Sequence, residues 1–310
     1  MIQQALILTA LILFSANSWS NTPCSGKKGG IDHCNGSQFV CKDGSVSKST
    51  KDCTAYMSGN AESDLRANLP NNSPPSQPTQ IQPISDSKEA HKILKLDYDG
   101  FTVWLDCNRR GAVKFQYNAQ HDTGNEKRAK DFILDPNVPV ECQQISSKPY
   151  GQGYDRGHQV PANHLDYSAN AIKQSNYMTN ILPQTLQLNR GAWLESEMIV
   201  ECYRDIDELL VIGGAIFGRN TNDDFFLQSH GVETPDLFWK VIIRGKGQDE
   251  RAIAWIMPNI KEATRKNLDS YLVTVDEIER VTGEKIPVAD YAKHDKPSQS
   301  WIIPKGCNRG

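Results

Sequence analysis

Short runs of apolar and β-branched residues, separated by Gly, Pro or charged residues, dominate the chain from about residue 100 onward. The runs 101–105 and 112–117 flank Asn-Arg-Arg-Gly at 108–111, which is typical of a turn, and they predict two paired strands. Further runs of this kind predict central strands of a sheet, at 209–214, 238–243 and 252–257.

Apolar residues recur with helical spacing in two places. This spacing predicts one helix over 192–205 and another over 275–281. The apolar face of the first helix would be formed by Trp193, Met198, Ile199 and Cys202. Together with the strands, these helices predict a mixed α and β domain.

The first twenty residues contain no charged side chain, and an apolar run over 2–14 is followed by small polar residues. This pattern predicts a signal peptide over residues 1–20 and a secreted or periplasmic protein. The run is shorter than the ~20 apolar residues that a spanning helix needs, so no stable membrane span is expected after cleavage. A permanent anchor is the alternative, since only the amine of Met1 supplies the positive charge usual in a leader.

An even number of cysteines behind an export signal predicts disulfides. The first four fall within a Gly- and Ser-rich stretch that has too few large apolar residues to form a core. We therefore expect a small disulfide module over 21–60, with two bridges in any of three connectivities. A zinc site is the alternative, although paired Cys-x-x-Cys knuckles are lacking. The eight cysteines are Cys24, Cys34, Cys41, Cys53, Cys107, Cys142, Cys202 and Cys307.

Residues 61–90 are rich in Pro, Ser and Asn and predict a flexible linker, which leaves 91–310 as one larger domain. The formal net charge is −3, so a surface that binds nucleic acid would have to be basic locally. The candidate cations for such a surface are Arg109, Arg110, Lys114, Lys127, Arg128, Lys130, Arg156 and Arg190.

His158 closes the sequence Asp-Arg-Gly-His at 155–158 and is a candidate general base. An imidazole ordinarily titrates near ~6.5, so much of it is neutral and basic at working pH. Gly157 beside it removes side-chain bulk where substrate would approach. His158 could instead be a structural histidine, and His164 is a rival base that could also share a zinc ion with it.

Asn189 is a candidate magnesium ligand, because this ion prefers oxygen donors and retains several waters. It could instead be the N-cap of the following helix. Glu197 lies eight residues later, ~12 Å away along a regular helix, and would contact metal-bound water rather than the ion itself. Glu195 and Glu201 are competing carboxylates for that position, and a solvated surface Glu is the alternative.

Arg156 and Arg128 are candidate phosphate clamps, because a guanidinium stays charged and donates two parallel hydrogen bonds. Arg156 could instead pair with Asp155, and Arg128 could be an ordinary exposed charge. Asn180 could position the base or the phosphate, or satisfy a turn before Pro183.

Three motifs follow one another in the chain: Asp-Arg-Gly-His at 155–158, Asn-Ile-Leu-Pro-Gln at 180–184, and Leu-Asn-Arg-Gly-Ala-Trp at 188–193 followed by Glu197. In this order they resemble the DNA/RNA non-specific endonuclease family, which includes secreted bacterial nucleases and the mitochondrial endonuclease G type. The resemblance extends over about residues 95–285 and leaves out the cysteine-rich module and the linker.

The resemblance implies an α+β fold, with a mixed, mainly antiparallel sheet flanked by helices and a ββα-metal active site. It implies that His158 is the general base and that Asn189 is the sole direct protein ligand of Mg²⁺, or of Mn²⁺ in its place. Glu197 would lie in the hydration shell of the metal.

The resemblance also places Arg156 and Asn180 against the phosphate or the developing charge, and Arg128 as a stabiliser of the transition state. Arg190 departs from the family pattern, since many relatives have Gln there.

The expected function is that of a Mg²⁺-dependent endonuclease that cuts DNA and RNA with little sequence specificity and leaves 5′-phosphates. A catalytically silent, disulfide-stapled protein that binds nucleic acid or an envelope partner is one alternative. A phosphodiesterase for smaller substrates is another. The sequence does not indicate an oligomeric state.

Overall fold

The chain divides into two units, residues 1–79 and 80–310. The predicted signal peptide 1–20 and the predicted linker 61–90 lie outside the described residues, and both stay predictions. No helix in the described part of the chain is long and apolar enough to cross a membrane. The computed structural model describes residues 24, 28, 31–35, 37–49, 53, 91–218 and 221–307.

In the first unit, the hairpin of β1 (Ile31–Asn35) and β2 (Gln38–Cys41) is covered by two disulfides. These join Cys24 to Cys41 and Cys34 to Cys53, around the buried ring of Phe39. Two bridges, as predicted, compensate for a core that contains so little apolar surface. The zinc alternative is wrong, because the structure shows no free cysteine among the described residues.

The second unit is built on a seven-stranded sheet in the order β11-β10-β9-β8-β5-β4-β3, and all neighbouring strands are antiparallel. The pairing predicted across residues 108–111 is confirmed by β4 and β5. The three predicted central strands are confirmed as β8, β9 and β10. The strands are β3 (Ile93–Tyr98), β4 (Phe101–Asp106), β5 (Gly111–Ala119), β8 (Leu209–Ile216), β9 (Leu237–Arg244), β10 (Arg251–Pro258) and β11 (Leu272–Val273).

A separate hairpin pairs β6 (Tyr154–His158) with β7 (Ile181–Thr185). Both predicted helices are present, as α2 and α3. The α-helices are α1 (Ala169–Ser175), α2 (Leu194–Arg204), α3 (Val275–Thr282) and α4 (Asp290–Lys293). The shorter helical turns are Ala162–Leu165, Met178–Asn180, Leu188–Trp193, Thr221–Asp223, Gly247–Asp249 and Arg265–Tyr271.

Both faces of the sheet are covered, which explains why its central strands are almost continuously apolar. On one face, Val275 and Ile278 of α3 pack against alternate residues of β9 and β10. On the other face, Trp193 and Ile199 pack with Phe238 of β9 and with the β6–β7 hairpin. The α+β class with a mainly antiparallel sheet and flanking helices is thereby confirmed.

Two further disulfides anchor the edges of this unit. Cys107 at the end of β4 bonds to Cys142, and Cys202 on α2 bonds to Cys307 near the C-terminus. The second bridge attaches the C-terminal segment to the helix that follows the β6–β7 hairpin. The prediction that the cysteines form disulfides is therefore confirmed along the whole described chain.

Candidate active site

The three sequence motifs fold into one hairpin–helix unit. The first motif forms β6, the second forms β7, and the third forms a wide helical turn, Leu188–Trp193, that leads directly into α2. Within the hairpin, His158 is paired with Ile181, and Asp155 with Gln184. This is the ββα arrangement that the resemblance implies.

Gly157 is required by the close packing of this hairpin. A Cβ atom at this position would lie 2.3 Å from Oε1 of Gln184, a fully buried side chain on β7. A glycine therefore lets Gln184 lie across the strand immediately before His158.

The imidazole of His158 is held by Asn176. Nε2 of His158 lies 2.9 Å from Oδ1 of Asn176, while Nδ2 of Asn176 donates to the carbonyl oxygens of Ala129 and Asp131. Because the amide nitrogen of Asn176 is already used as a donor, its Oδ1 must accept a hydrogen bond from the N–H at Nε2. Nδ1 of His158 is then the basic nitrogen, and it bonds to no side chain or backbone group in the described part of the chain.

His158 is only 7 % exposed, and its electrostatic surroundings favour the neutral ring. Burial lowers its pKa to about 4; the charges of Arg128 and Arg156 act in the same direction, and the bond to Asn176 opposes them. The pKa of His158 is therefore lower than that of a free imidazole, and the ring is neutral at working pH, as expected of a general base. A phosphate anion at this position would offset the arginine charges and raise the pKa again.

Arg156 lies on the same face of β6 as His158. Its guanidinium carbon is 3.9 Å from the ring centroid of Phe132, and Nη1 donates to the carbonyl oxygen of Ser147 at 2.7 Å. The Phe132 ring also packs against the imidazole of His158. The alternative pairing of Arg156 with Asp155 is wrong, because successive residues of a strand point to opposite faces.

Asp155 instead binds the start of the helix. Its carboxylate accepts a hydrogen bond from Nδ2 of Asn189 at 2.9 Å and two from the guanidinium of Arg190, at 2.7 and 2.8 Å. These bonds fix the Asn189 amide with its nitrogen toward Asp155. Its carbonyl oxygen remains without a hydrogen-bond partner in the described structure, so it fits as a ligand for a hard cation.

The alternative role of Asn189 as a helix N-cap is wrong. The wide turn begins one residue earlier, its N-cap is Gln187, and no side-chain cap bond is formed. Asn189 is available for another role because its amide is directed by Asp155 rather than by the helix backbone.

Trp193 connects the helix to the base. Its indole Nε1 donates to the carbonyl oxygen of His158 at 3.0 Å. Asn189 and Glu197 lie four residues before and four residues after Trp193, and Gly191 (φ −119°, ψ −108°) interrupts the helical geometry between Asn189 and Trp193. The backbone of His158 is thus bonded to the segment that carries both metal-site candidates.

Glu197 on α2 is partly buried, and its charge interacts with that of the buried Lys240. Burial raises the pKa of Glu197, and the charges of Lys240 and Arg128 and the nearby indole of Trp193 offset part of this rise. Lys240 is fully buried on β9, donates to Oγ of Ser196 at 2.9 Å, and has its pKa lowered to about 8 by burial. Glu197 is thus not a fully solvated surface glutamate, and its role beside the metal stays a prediction.

Arg128 is exposed, yet its charge lowers the pKa of both His158 and Glu197. The charge of Arg128 thus acts on both candidate groups at once. This effect agrees with its predicted role beside the phosphate, which stays a prediction.

Asn180 is fully buried, and its side chain bonds only to backbone groups. Oδ1 accepts from the amide of Val160, and Nδ2 donates to the carbonyl oxygens of Val160 and Ser175. No donor remains for a phosphate, so direct contact with substrate is not supported by this geometry. Asn180 instead fixes the backbone two residues after His158.

His164, the rival base, has both nitrogens occupied. Nδ1 lies 2.8 Å from the hydroxyl of Tyr117, and Nε2 lies 3.2 Å from the carboxylate of Glu201. It does not share a zinc site with His158, since the described residues contain no group of three or more His, Cys, Asp or Glu side chains that could hold a metal. Glu201, a competitor of Glu197, belongs to this separate network.

Sequence reasoning missed the partners that set these geometries, namely Asn176, Phe132, Trp193 and Lys240. Asp155 was considered only as a neighbour of Arg156. The available signal was the Asp-Arg-Gly-His motif itself, in which a strand would direct Asp155 and Arg156 to opposite sides.

A family model described as DNA/RNA non-specific endonuclease matches residues 84–295, more than half of the chain. A second model, described as YdcA, matches residues 24–55, the cysteine-rich module. The solved EndoG/EndoGI complex shares the fold, with a TM-score of 0.51 and 20% sequence identity, over 65% of this chain and 86% of that chain.

Three curated nucleases are also similar to this chain in sequence. Mitochondrial endonuclease G of Homo sapiens is 27% identical over 60% of this chain and 66% of its own length. Nuclease C1 of Cunninghamella echinulata is 28% identical over 58% of this chain and 77% of its own length. Mitochondrial nuclease EXOG of Xenopus laevis is 26% identical over 49% of this chain, which spans only 46% of that relative.

Proposed function

This chain belongs to the DNA/RNA non-specific endonuclease family, and on that premise we propose that it is a metal-dependent endonuclease that hydrolyses phosphodiester bonds of DNA and RNA. The observation that carries the proposal is the bond from Trp193 to the carbonyl oxygen of His158. Through it, the helix that bears Asn189 and Glu197 is attached to the strand that bears the base.

His158 would act as the general base through Nδ1. The bond to Asn176 fixes the tautomer in which Nδ1 carries the lone pair, and the low pKa keeps this nitrogen unprotonated. A water molecule that loses its proton to Nδ1 can attack the phosphorus in line with the leaving 3′ oxygen. The bond between phosphorus and the 3′ oxygen then breaks, and the phosphate remains on the 5′ oxygen of the downstream nucleotide.

Asn189 would hold the metal through its carbonyl oxygen, because Asp155 already binds the amide nitrogen. A magnesium or manganese ion there would balance the charge on the phosphoryl oxygens and on the leaving oxygen. Glu197 would accept hydrogen bonds from the water around the ion. The charges of Lys240 and Arg128 favour its ionised form against the burial that raises its pKa.

Arg128 and Arg156 would bind the phosphate. Arg156 is stacked on Phe132 and donates one hydrogen bond to the carbonyl oxygen of Ser147. The other N–H groups of its guanidinium can donate to an anion. Contacts of this kind bind the phosphate backbone rather than the bases. They therefore support cleavage with low sequence specificity and of both DNA and RNA. A secreted or periplasmic location is part of the same proposal, supported by the four disulfides and by the pattern that predicts a signal peptide over residues 1–20.

The test is a metal series with supercoiled plasmid and with RNA, in which the wild-type protein is compared with Asn189→Ala. We expect the wild type to cut both substrates with Mg²⁺ or Mn²⁺ and not with a chelator. The Asn189→Ala variant should need much more metal for residual cutting. Asn137→Ala, an exposed asparagine substitution outside the site, is the matched control.

Metal-independent binding without cleavage by the wild type would instead support the silent binding protein. Cleavage of dinucleotides but not of long DNA or RNA would support the phosphodiesterase for small substrates. Either result would overturn the proposed endonuclease.

A further inference from the structure

An open groove of about 460 Å³ lies beside the turn that carries Asn189. Its charged lining consists of Arg190, Arg265 and Lys266, and no Asp or Glu of the described residues lines it. Gln187 and Thr264 add neutral polar groups. The groove therefore presents three cations on a chain whose formal net charge is −3.

The two walls of the groove are packed directly against each other. The amide of Ala192 donates to the carbonyl oxygen of Ala263 at 3.1 Å, and a Cβ atom at Gly191 would lie 2.8 Å from the same oxygen. Glycine at position 191, two residues after Asn189, thus allows the backbone of 263–265 to contact the turn. Arg265 and Lys266 are fixed beside the candidate metal ligand by backbone contacts rather than by their own side chains.

The cations of the groove are only partly neutralised within the protein. Arg190 is bound by Asp155, but the nearest carboxylate to Arg265 is that of Glu195, at 3.7 Å in an exposed pair of little strength. The side chain of Lys266 is exposed, and no hydrogen bond or ion pair joins it to another described residue. Arg265 and Lys266 are therefore available to an anion from outside the chain.

We propose that this groove is a phosphate subsite that binds the substrate strand beside the phosphate being cut, with Arg265 and Lys266 as its principal cations. The inference rests on the proposed nuclease function and names the path of the strand, along the start of the helical segment. A nucleic-acid strand carries one phosphate charge per ~3.4 Å of axis, so a strand bound at Asn189 must place further phosphates nearby. The groove is the adjacent surface with the charge to receive one.

The subsite is tested by binding without turnover. The full chain is mixed with a fluorescent single-stranded DNA of about 20 nucleotides in a chelator, and anisotropy is followed between about 50 and 200 mM salt. We expect the double variant Arg265→Gln, Lys266→Gln to bind about tenfold more weakly, and the slope of log affinity against log salt to become shallower by about 1.5. The single variant Lys266→Glu should also weaken binding. The lysine side chain that it replaces bonds to no described residue.

The matched control is the double variant Lys246→Gln, Lys285→Gln, which removes two exposed charges located outside the groove. It should change the affinity by less than about twofold. Equal affinities and equal salt slopes for the groove variant and this control would overturn the subsite, as would a wild type that does not bind the DNA. A thermal melt of each variant establishes that it is folded.

Cleavage then separates the subsite from the proposed function. In a metal-containing buffer, the ratio of kcat/KM on single-stranded DNA to that on a minimal aryl phosphodiester should fall in the groove variant. A wild type that binds but never cuts would overturn the proposed function and leave the subsite standing. A wild type that cuts, with a groove variant that keeps both the wild-type affinity and the wild-type ratio, would overturn the subsite alone.

Discussion

His158 and His164 are both buried, but they differ in their hydrogen-bond partners. Both histidines are less than a tenth exposed, they lie six residues apart, and burial lowers the pKa of each. His164, however, lies between the hydroxyl of Tyr117 and the carboxylate of Glu201, and both of its nitrogens are bonded. His158 is bonded through one nitrogen only, to Asn176.

This difference shows that burial and a shifted pKa do not by themselves identify a catalytic base. A base needs a lone pair directed to where substrate can reach, and His164 has none to offer. The network around His164 continues to Arg204, which binds Glu201 at 2.8 Å. That network holds α2 to the sheet, whereas the surroundings of His158 leave one nitrogen for chemistry.

The largest effect should come from His158→Ala. Loss of the proposed base should lower kcat by about 10²- to 10⁴-fold, measured as the initial rate of plasmid nicking with saturating Mg²⁺. His121→Ala, which replaces an exposed histidine paired with Asp205, is the control and should keep its rate. Plasmid nicking by His158→Ala at the rate of the control would show that another group is the base.

Next in size is the loss of stability in Glu201→Ala. This carboxylate binds His164, Asn163 and Arg204 in the interior, and its removal leaves a buried guanidinium poorly compensated. We expect the free energy of unfolding to fall by about 3–5 kcal/mol, measured by urea denaturation. The cleavage rate per folded molecule should be kept.

The matched control for this variant is Glu208→Ala, an exposed glutamate, which should change the free energy of unfolding by less than about 0.5 kcal/mol. If both variants unfolded at the same urea concentration, the buried network would not be what holds the helix to the sheet.

A somewhat smaller effect is expected from pH. His158 binds a proton near its ordinary pKa of 6.5 when unfolded and only near about 4 when folded, so protons favour the unfolded chain. Its contribution to stability is complete above pH 6.5 and is lost as the pH falls toward 4, by about 3 kcal/mol in all. Urea denaturation across this window should show a smaller loss in His158→Gln than in the wild type.

The lowered pKa of His164 adds to the loss of wild-type stability in the same direction. His164 is still present in the His158→Gln variant, so this variant should keep part of the pH dependence of stability. An identical pH dependence in the two proteins would contradict the buried, neutral state of His158.

The smallest of these effects should come from Asn176→Ala. Without this side chain the imidazole loses the partner that fixes its tautomer and orientation, and kcat should fall by about 10- to 100-fold. Asn176→Asp should instead raise the pKa of His158, because a carboxylate favours the protonated ring, and should move the acid limb of the pH–rate profile upward. A merely structural role for Asn176 would leave that limb unmoved in both variants.

Much of the fold was predictable because local periodicity reports burial. The turn at 108–111, the three central strands and both helices follow from residue patterns within single segments. The order of the seven strands was not predictable, since it depends on pairings between distant segments such as β5 with β8. The same is true of the disulfides, for which the even count predicts bridges and only the folded backbone selects Cys24 with Cys41.

For the candidate site, the sequence by itself determined which chemical groups are present and that three motifs follow in family order. Tertiary structure decided which of them are available. It bonded Asn180 to backbone, turned Asp155 away from Arg156 to Asn189, and left Nδ1 of His158 unbonded. The physical reason is that hydrogen-bond partners, burial and charge come from residues remote in the chain, whereas a motif specifies only its own side chains.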